Sequence, residues 1–274
     1  MYSGTTLTPV SGRILGAHQK FDRVARRHLK LLLAEYDNIF PEIKEILRFE
    51  GRNGPDGIKR KSPAQNEPWH YINPFDEADS ELHVIIKDHY NALVSALMAQ
   101  NNTKAAFEAA WLAHAIVDGL TPAHHYPYES ELQKLRGDQG RETRDTIMRK
   151  VIMPGSKPSE QMRNNWKMWG PKGLLSTHGM FEFGVATIVA PLKLRRAFPD
   201  KTALEALRKK DIVKIFHETS KEIAAMDLYV KYYKTGWTPK LARKVRRNLA
   251  PLIVQVITLA WYSAVLDAQQ KAGK

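Results

Sequence analysis

The stretch WLAHAIVDGLTPAHHY, residues 111–126, decides how this chain is read. Its first half continues a helical pattern that begins near residue 103. His114 and Asp118 stand four apart, so on a helix their side chains share one face, about 6 Å apart along the axis. Thr121-Pro122 then ends the helix, and His124 turns back towards the same place. A helix that carries an imidazole and a carboxylate on one face, with a second imidazole just beyond its end, has the donors to hold a cation.

Working outward, the flanking segments keep the helical period. Residues 11–35 place Leu15, His18, Phe21, Ala25, Leu29 and Leu32 on one stripe, with Arg23, Arg26, Arg27 and Lys30 mostly around the other side. Further helices are expected near 80–100, 173–190, 203–233 and 239–270, and strand signals are scarce. Two stretches read as loops from their Gly and Pro content: GRNGPDGIKRKSP at 51–63 and MPGSKPSEQMRNNWKMWGPKG at 153–173. Neither resembles a linker between domains, and there is no internal repeat. The expectation is an all-α fold, a single-domain multi-helix bundle over residues 1–274.

Composition agrees with a folded core and narrows the chemistry. Of 274 residues, 43% are hydrophobic and 26% charged, which excludes wholesale disorder. Cysteine is absent, so neither disulfides nor thiolate metal sites are available. The net charge of +13 favours anionic partners: nucleic acid, phospholipid surfaces or phosphorylated substrates. The opening MYSGTTLTPV carries no secretory leader, so a cytoplasmic location is expected unless a leader has already been removed. The apolar run from Asn248 to Leu266 approaches the length of a membrane span, but Pro251, Gln255, Thr258 and Ser263 interrupt it. It is read as a final helix buried in the core.

A second pair at the same spacing, His178 and Glu182, lies in STHGMFEFG at 176–184, and His18 sits on the apolar stripe of the first helix. Neutral imidazoles and ionised carboxylates suit zinc. Four other histidines, His28, His83, His89 and His217, fall on polar or mixed faces and are read as solvated. So are the basic runs Lys59-Arg60-Lys61, Lys193 to Arg196 and Arg243 to Arg247.

These motifs together resemble the zinc-dependent phospholipase C family, an all-helical fold that also houses zinc-dependent single-strand nucleases. The resemblance is carried by HAIVDGLTPAH at 114–124, HGMFEF at 178–183, GPDG around Asp56, WHYINPFD around His70, and His18 in ILGAHQKF. It spans about residues 14–190. Residues 129–173 read as an insertion rich in Lys, Arg, Trp and Pro that overhangs the site, and 191–274 as C-terminal helices.

The resemblance implies a cluster of three zinc ions between the helices. His124, His178 and Glu182 would hold one; Asp56, His70, His114 and Asp118 a second; Asp118 would bridge to a third shared with His18. Glu129, four residues after His125, is a rival to Glu182 for the acid of the first ion, and His125 is a candidate to support the cluster through a hydrogen bond. The family completes its third site with the amine and carbonyl of an N-terminal tryptophan. Residue 1 here is Met, so two tightly held ions and a weak third are expected, unless residues 1–17 fold back through a turn at Thr8-Pro9. The implied activity is phosphodiester hydrolysis, releasing diacylglycerol and a phosphorylated head group from a phospholipid, with Asp56 as general base. The position after Asp56, aromatic in choline-preferring members, is Gly57. A single-strand nuclease, with Trp69, Tyr71, Trp166 and Trp169 as stacking faces, is the second choice. A non-catalytic membrane-surface protein with structural metals is the third.

Overall fold

In the computed structural model, residues 1–4, 16–59 and 61–273 are described. Leu15, the Thr8-Pro9 turn and Arg60 lie outside that range. The helices of eight residues or more, numbered along the chain, are α1 (Ala17–Leu33), α2 (Glu81–Met98), α3 (Asn102–Gly119), α4 (Tyr128–Leu135), α5 (Pro158–Trp169), α6 (Leu174–Val189), α7 (Lys201–Lys209), α8 (Ile212–Ala224), α9 (Leu228–Thr235) and α10 (Ala250–Ala272). No strand occurs among the described residues. The fold is all-α, built around one main core.

α3 is the centre of that core. The Asn101 side chain caps it by accepting from the Lys104 amide at 3.0 Å. Ala105, Ala106, Ala109, Ala110 and Ala113 are buried, and their small side chains let α1, α2 and α10 pack closely against it. The buried Trp261 of α10 locks the arrangement, its indole N–H donating to the Ala109 carbonyl at 3.1 Å. α10 extends a longer helix, Pro239–Ala272, through a π turn at Val245–Leu249. That helix is long and apolar enough to cross a membrane, yet 67% of its most apolar window is buried within the protein, as expected of a core helix.

Three sequence expectations need correction. The stretch 153–173 is not a loop: α5 forms inside it because Pro158 pre-sets the first helical turn, and Gly170 ends it. The expected helix over 203–233 is three helices, interrupted after Lys209 and again at Asp227, whose φ of 52° is left-handed. The 51–63 stretch folds into single helical turns, Gly51–Asn53 and Pro55–Ile58.

Candidate metal centre

The eight residues singled out in the sequence converge at the end of α3. His114 and Asp118 lie on the last two turns of that helix, 3% and 1% exposed. Gly119 follows because a Cβ there would sit 2.4 Å from the Phe216 ring and 2.5 Å from Leu82. Thr121 then donates back to the Val117 carbonyl at 2.7 Å, and the turn Pro122–His125 delivers His124. The Ile72 amide donates to the His124 carbonyl at 3.1 Å, which lays the segment bearing His70 alongside. Asp56 projects from the one-turn helix Pro55–Ile58. Gly57 is required beside it, since a Cβ would lie 2.0 Å from the Arg52 carbonyl oxygen; an aromatic residue cannot occupy this position in this fold.

Asp118 is the hub. One of its oxygens lies 3.3 Å from His18 Nε2 and 3.7 Å from His124 Nδ1, the other 3.3 Å from His114 Nε2. His114 Nε2 is also 3.8 Å from Asp56. Glu182 takes the second focus, with one oxygen 2.8 Å from His124 Nε2 and 3.0 Å from His178 Nε2. Glu129, the rival acid, pairs with Arg144, whereas Glu182 stands against His124 and His178. The ring of His70 stands 5.1 Å from that of His124, with its Nδ1 on the Pro68 carbonyl.

Met1 supplies the amine and carbonyl that the resemblance assigns to a terminal residue, by the folding back of the chain's start expected as the alternative to a weak third site. Ala17 N–H bonds the Tyr2 carbonyl at 2.8 Å, and Gln19 bonds the Ser3 carbonyl at 3.0 Å, so residues 1–3 run along the start of α1. The buried Met1 amine reaches an Asp118 oxygen and stands 3.4 Å from Glu182. His18 Nε2 donates to the Met1 carbonyl at 2.8 Å.

Two further groups escaped the sequence reading. Glu50, 1% exposed, accepts from His114 Nδ1 at 3.2 Å; this bond aims Nε2 at Asp118 and Asp56. No local spacing links residues so far apart. Asp22 stands four residues after His18, a third His-and-acid pair at the spacing already noted twice. It is fully buried without a hydrogen bond, and burial and the charge of Glu50 push its carboxyl well above the usual range. Lys59, read as part of a solvated run, instead places its ammonium 2.9 Å from Asp56 inside the cavity, whereas Lys61 is exposed.

The outer histidines also differ from expectation. His28 is buried against Phe198, and His89 bonds Glu108 at 2.6 Å, because both face neighbouring helices rather than water. His83 and His217 are half-buried against each other. His125 donates to the Gly119 carbonyl at 2.8 Å rather than to a candidate ligand.

The electrostatics favour added positive charge. Burial alone would raise the carboxyls of Asp118 and Glu182, but the Met1 amine and the histidines hold both well below the usual range. Burial pushes His124 down to about 4 and lowers His18 and His70, so these imidazoles are neutral, the form that ligates metals. His114 goes the other way: despite burial, Glu50 and Asp118 raise it to about 10.

Two buried groups could hold a metal ion. In one, atoms of His124, His178 and Glu182 all lie within 4.8 Å of one another; the other joins His18, Glu50 and His114. Glu50 faces the Nδ1 side of His114, so the cation-facing partners of His114 Nε2 are Asp118 and Asp56. Two ligands of one tetrahedral zinc stand about 3.3 Å apart, close to the 2.8–3.3 Å between these donors. His114 Nε2 and Asp118 Oδ2 are buried 3.3 Å apart, with no further hydrogen bond to either atom.

Of the cluster, Asp56, His70, His124, His178 and Glu182 line a cavity of about 370 Å³. Its upper wall comes from the 129–173 segment, which overhangs the site as expected: Arg141, Arg144, Lys150, Val151 and Met168 all line it. Arg141 lies over the Trp69 ring at 5.1 Å and is held by the Ala64 and Glu67 carbonyls; no carboxylate pairs with it among the described residues. No family model, curated protein or solved structure matches the chain.

Proposed function

We propose that this chain is a metal-dependent phosphodiester hydrolase, similar in chemistry to the zinc-dependent phospholipases C. The reading assigns His124, His178 and Glu182 to one zinc, and Asp56, His70, His114 and Asp118 to a second. His18, Asp118 and the amine and carbonyl of Met1 take a third. The observation that carries the reading is the convergence of five imidazoles and three carboxylates from distant segments, of which Asp56, His70, His124, His178 and Glu182 line one cavity with cationic walls.

Divalent ions in such a donor set supply Lewis acidity, lowering the pKa of water and offsetting charge on phosphoryl oxygens. The chain's own groups complete the chemistry. Burial opposes ionisation of Asp56, but Lys59 and His114 outweigh it and keep the carboxylate ionised. Its place on the cavity wall, rather than its basicity, which these cations lower, makes it the acceptor we assign for the attacking water's proton. The Lys59 ammonium and the Arg141 guanidinium face the cavity and can donate to the phosphate of a bound diester. Phospholipid is the preferred substrate, since Glu182 and the Gly-Leu-Thr-Pro run after Asp118 match the phospholipase-like motif rather than the nuclease one. Single-stranded nucleic acid is the competing substrate, favoured by the Trp69 and Tyr71 rings that border the cavity.

Protein purified without chelators should contain at least two zinc ions per chain by elemental analysis, and His114→Ala should lose most of them. The zinc form should hydrolyse a short-chain phospholipid faster than single-stranded DNA, and chelation should abolish turnover. Asp56→Asn should reduce turnover more than stability. Less than one metal per chain, unchanged by His114→Ala, would overturn the metal centre; metal without diester cleavage would overturn the activity; robust nuclease action alone would reverse the substrate ranking.

A further inference from the structure

The segment 147–172 that overhangs the cavity has an outer surface unlike the rest of the protein. Six large apolar side chains stand exposed on it: Ile147 at 58%, Met148 at 62%, Ile152 at 38%, Met162 at 73%, Trp166 at 68% and Trp169 at 45%. On α5, Met162, Trp166 and Trp169 follow each other at steps of four and three, so they form one outward stripe. The opposite side of α5 is already committed. Met168, 2% exposed, packs with Tyr128, Leu132 and Met153, and the Asn165 side chain bonds both the amide and the carbonyl of Met153. Trp169 ties the two halves of the surface together, its indole N–H donating to the Val151 carbonyl at 2.7 Å.

The charge of the same segment selects what the stripe meets. Residues 147–172 carry Arg149, Lys150, Lys157, Arg163, Lys167 and Lys172 against a single acid, Glu160. Arg163 and Arg149 are 65% and 63% exposed beside the apolar side chains. Exposed tryptophan, methionine and isoleucine flanked by arginine and lysine are the composition of a helix that lies in a bilayer interface. There the rings settle at head-group depth and the cations meet anionic lipid. The inner face of this segment is cavity wall, through Lys150, Val151 and Met168, so a surface seated here lies next to the cavity.

We infer that the outer face of residues 147–172, centred on Met162 and Trp166, docks the protein onto anionic phospholipid bilayers. The docking does not depend on the metal centre or on turnover, and it is read by binding alone. The full chain is sedimented with phosphatidylcholine vesicles that contain phosphatidylglycerol, and with phosphatidylcholine vesicles without it. The wild-type protein is expected to pellet with the anionic vesicles, less with the neutral ones, and less as salt is raised. The double variant Met162→Ser, Trp166→Ser removes two exposed side chains that make no polar bond; its melting temperature is expected to stay unchanged while its vesicle partitioning falls at least about tenfold. Lys167→Glu is expected to weaken anionic binding selectively. Failure of the wild type to bind vesicles would overturn the inference, as would equal binding by the double variant, which would move the contact to another basic surface. A wild-type dimer that the double variant converts to monomer would show that the stripe meets a second copy of the chain instead.

Discussion

Replacing Glu50 tests whether the buried pair it forms with His114 sets the metal affinity of the centre. The carboxylate presents both oxygens to His114 Nδ1, at 3.2 and 3.3 Å, in a position 1% exposed. Nδ1–H is thereby fixed on Glu50, and Nε2 faces Asp118 and Asp56. Loss of such a supporting carboxylate costs roughly 10–100-fold in metal affinity, about 1.4–2.7 kcal/mol. Glu50→Ala should fall near the upper end, because no water reaches His114 Nδ1 readily and the ring is free to turn. Glu50→Gln should fall near the lower end: its amide oxygen still accepts from Nδ1–H, but the charge that makes the imidazole a stronger donor is gone. Glu50 also accepts from the Gly51 amide at 3.2 Å, so circular dichroism and melting temperature must first show that each variant is folded. Competition against a chromophoric zinc chelator then ranks affinity, with wild type above Gln and Gln above Ala. A folded Glu50→Ala protein with unchanged zinc affinity would refute the proposed role of Glu50 in orienting His114.

Adding Gly-Ser ahead of Met1 turns its amine into an amide, which neither carries a charge towards Asp118 and Glu182 nor ligates metal well; elemental analysis should show one zinc fewer per chain, and an unchanged count would remove Met1 from the ligand set. Gly119→Ala drives a Cβ into Phe216 and Leu82 directly after Asp118, and should cost about 1–3 kcal/mol in urea unfolding. Glu108 titrates outside the centre. Burial would raise its carboxyl, but hydrogen bonds from His89 and Lys104 hold it below its ordinary 4.5. Its stabilising effect is therefore full above pH 4.5 and lost as pH falls through the lower folded value. Glu108→Gln should melt below wild type at neutral pH, and the gap should close in acid; a gap that widens in acid would contradict this assignment.

The parts of this protein that were legible in its sequence are those that local period encodes. The stripe of Phe21, Ala25 and Leu29 on α1 and the pairs His114/Asp118 and His178/Glu182 each depend on a spacing of three or four, which a helix turns into a shared face whatever surrounds it. α5 was missed because Pro158 and Gly170, read as breakers, stand at the two ends of a helix, where they initiate and terminate rather than disrupt. The support that Glu50 gives the centre was missed for a different reason. Glu50 meets His114 across 64 residues, a pairing that leaves no periodic trace along the chain; Met1, 117 residues from Asp118, was foreseen only through the resemblance, which places a terminal amine and carbonyl there.

The same contrast accounts for Lys59. Between Asp56 and the exposed Lys61 it reads as one member of a basic run, and only the turn Pro55–Ile58 separates its direction from that of Lys61. A charge run on a regular helix distributes its members around the surface; a single turn followed by a break does not. The short turn therefore sends one cation inward, to hold Asp56 ionised, and leaves the other in water. Arg196, on the three-residue turn Arg195–Ala197, and Arg247, within the long C-terminal helix, both stay exposed, as read. What distinguishes the inward lysine from the solvated one here is the partner its position reaches: Asp56 stands 2.9 Å from Lys59, while Lys61 faces water.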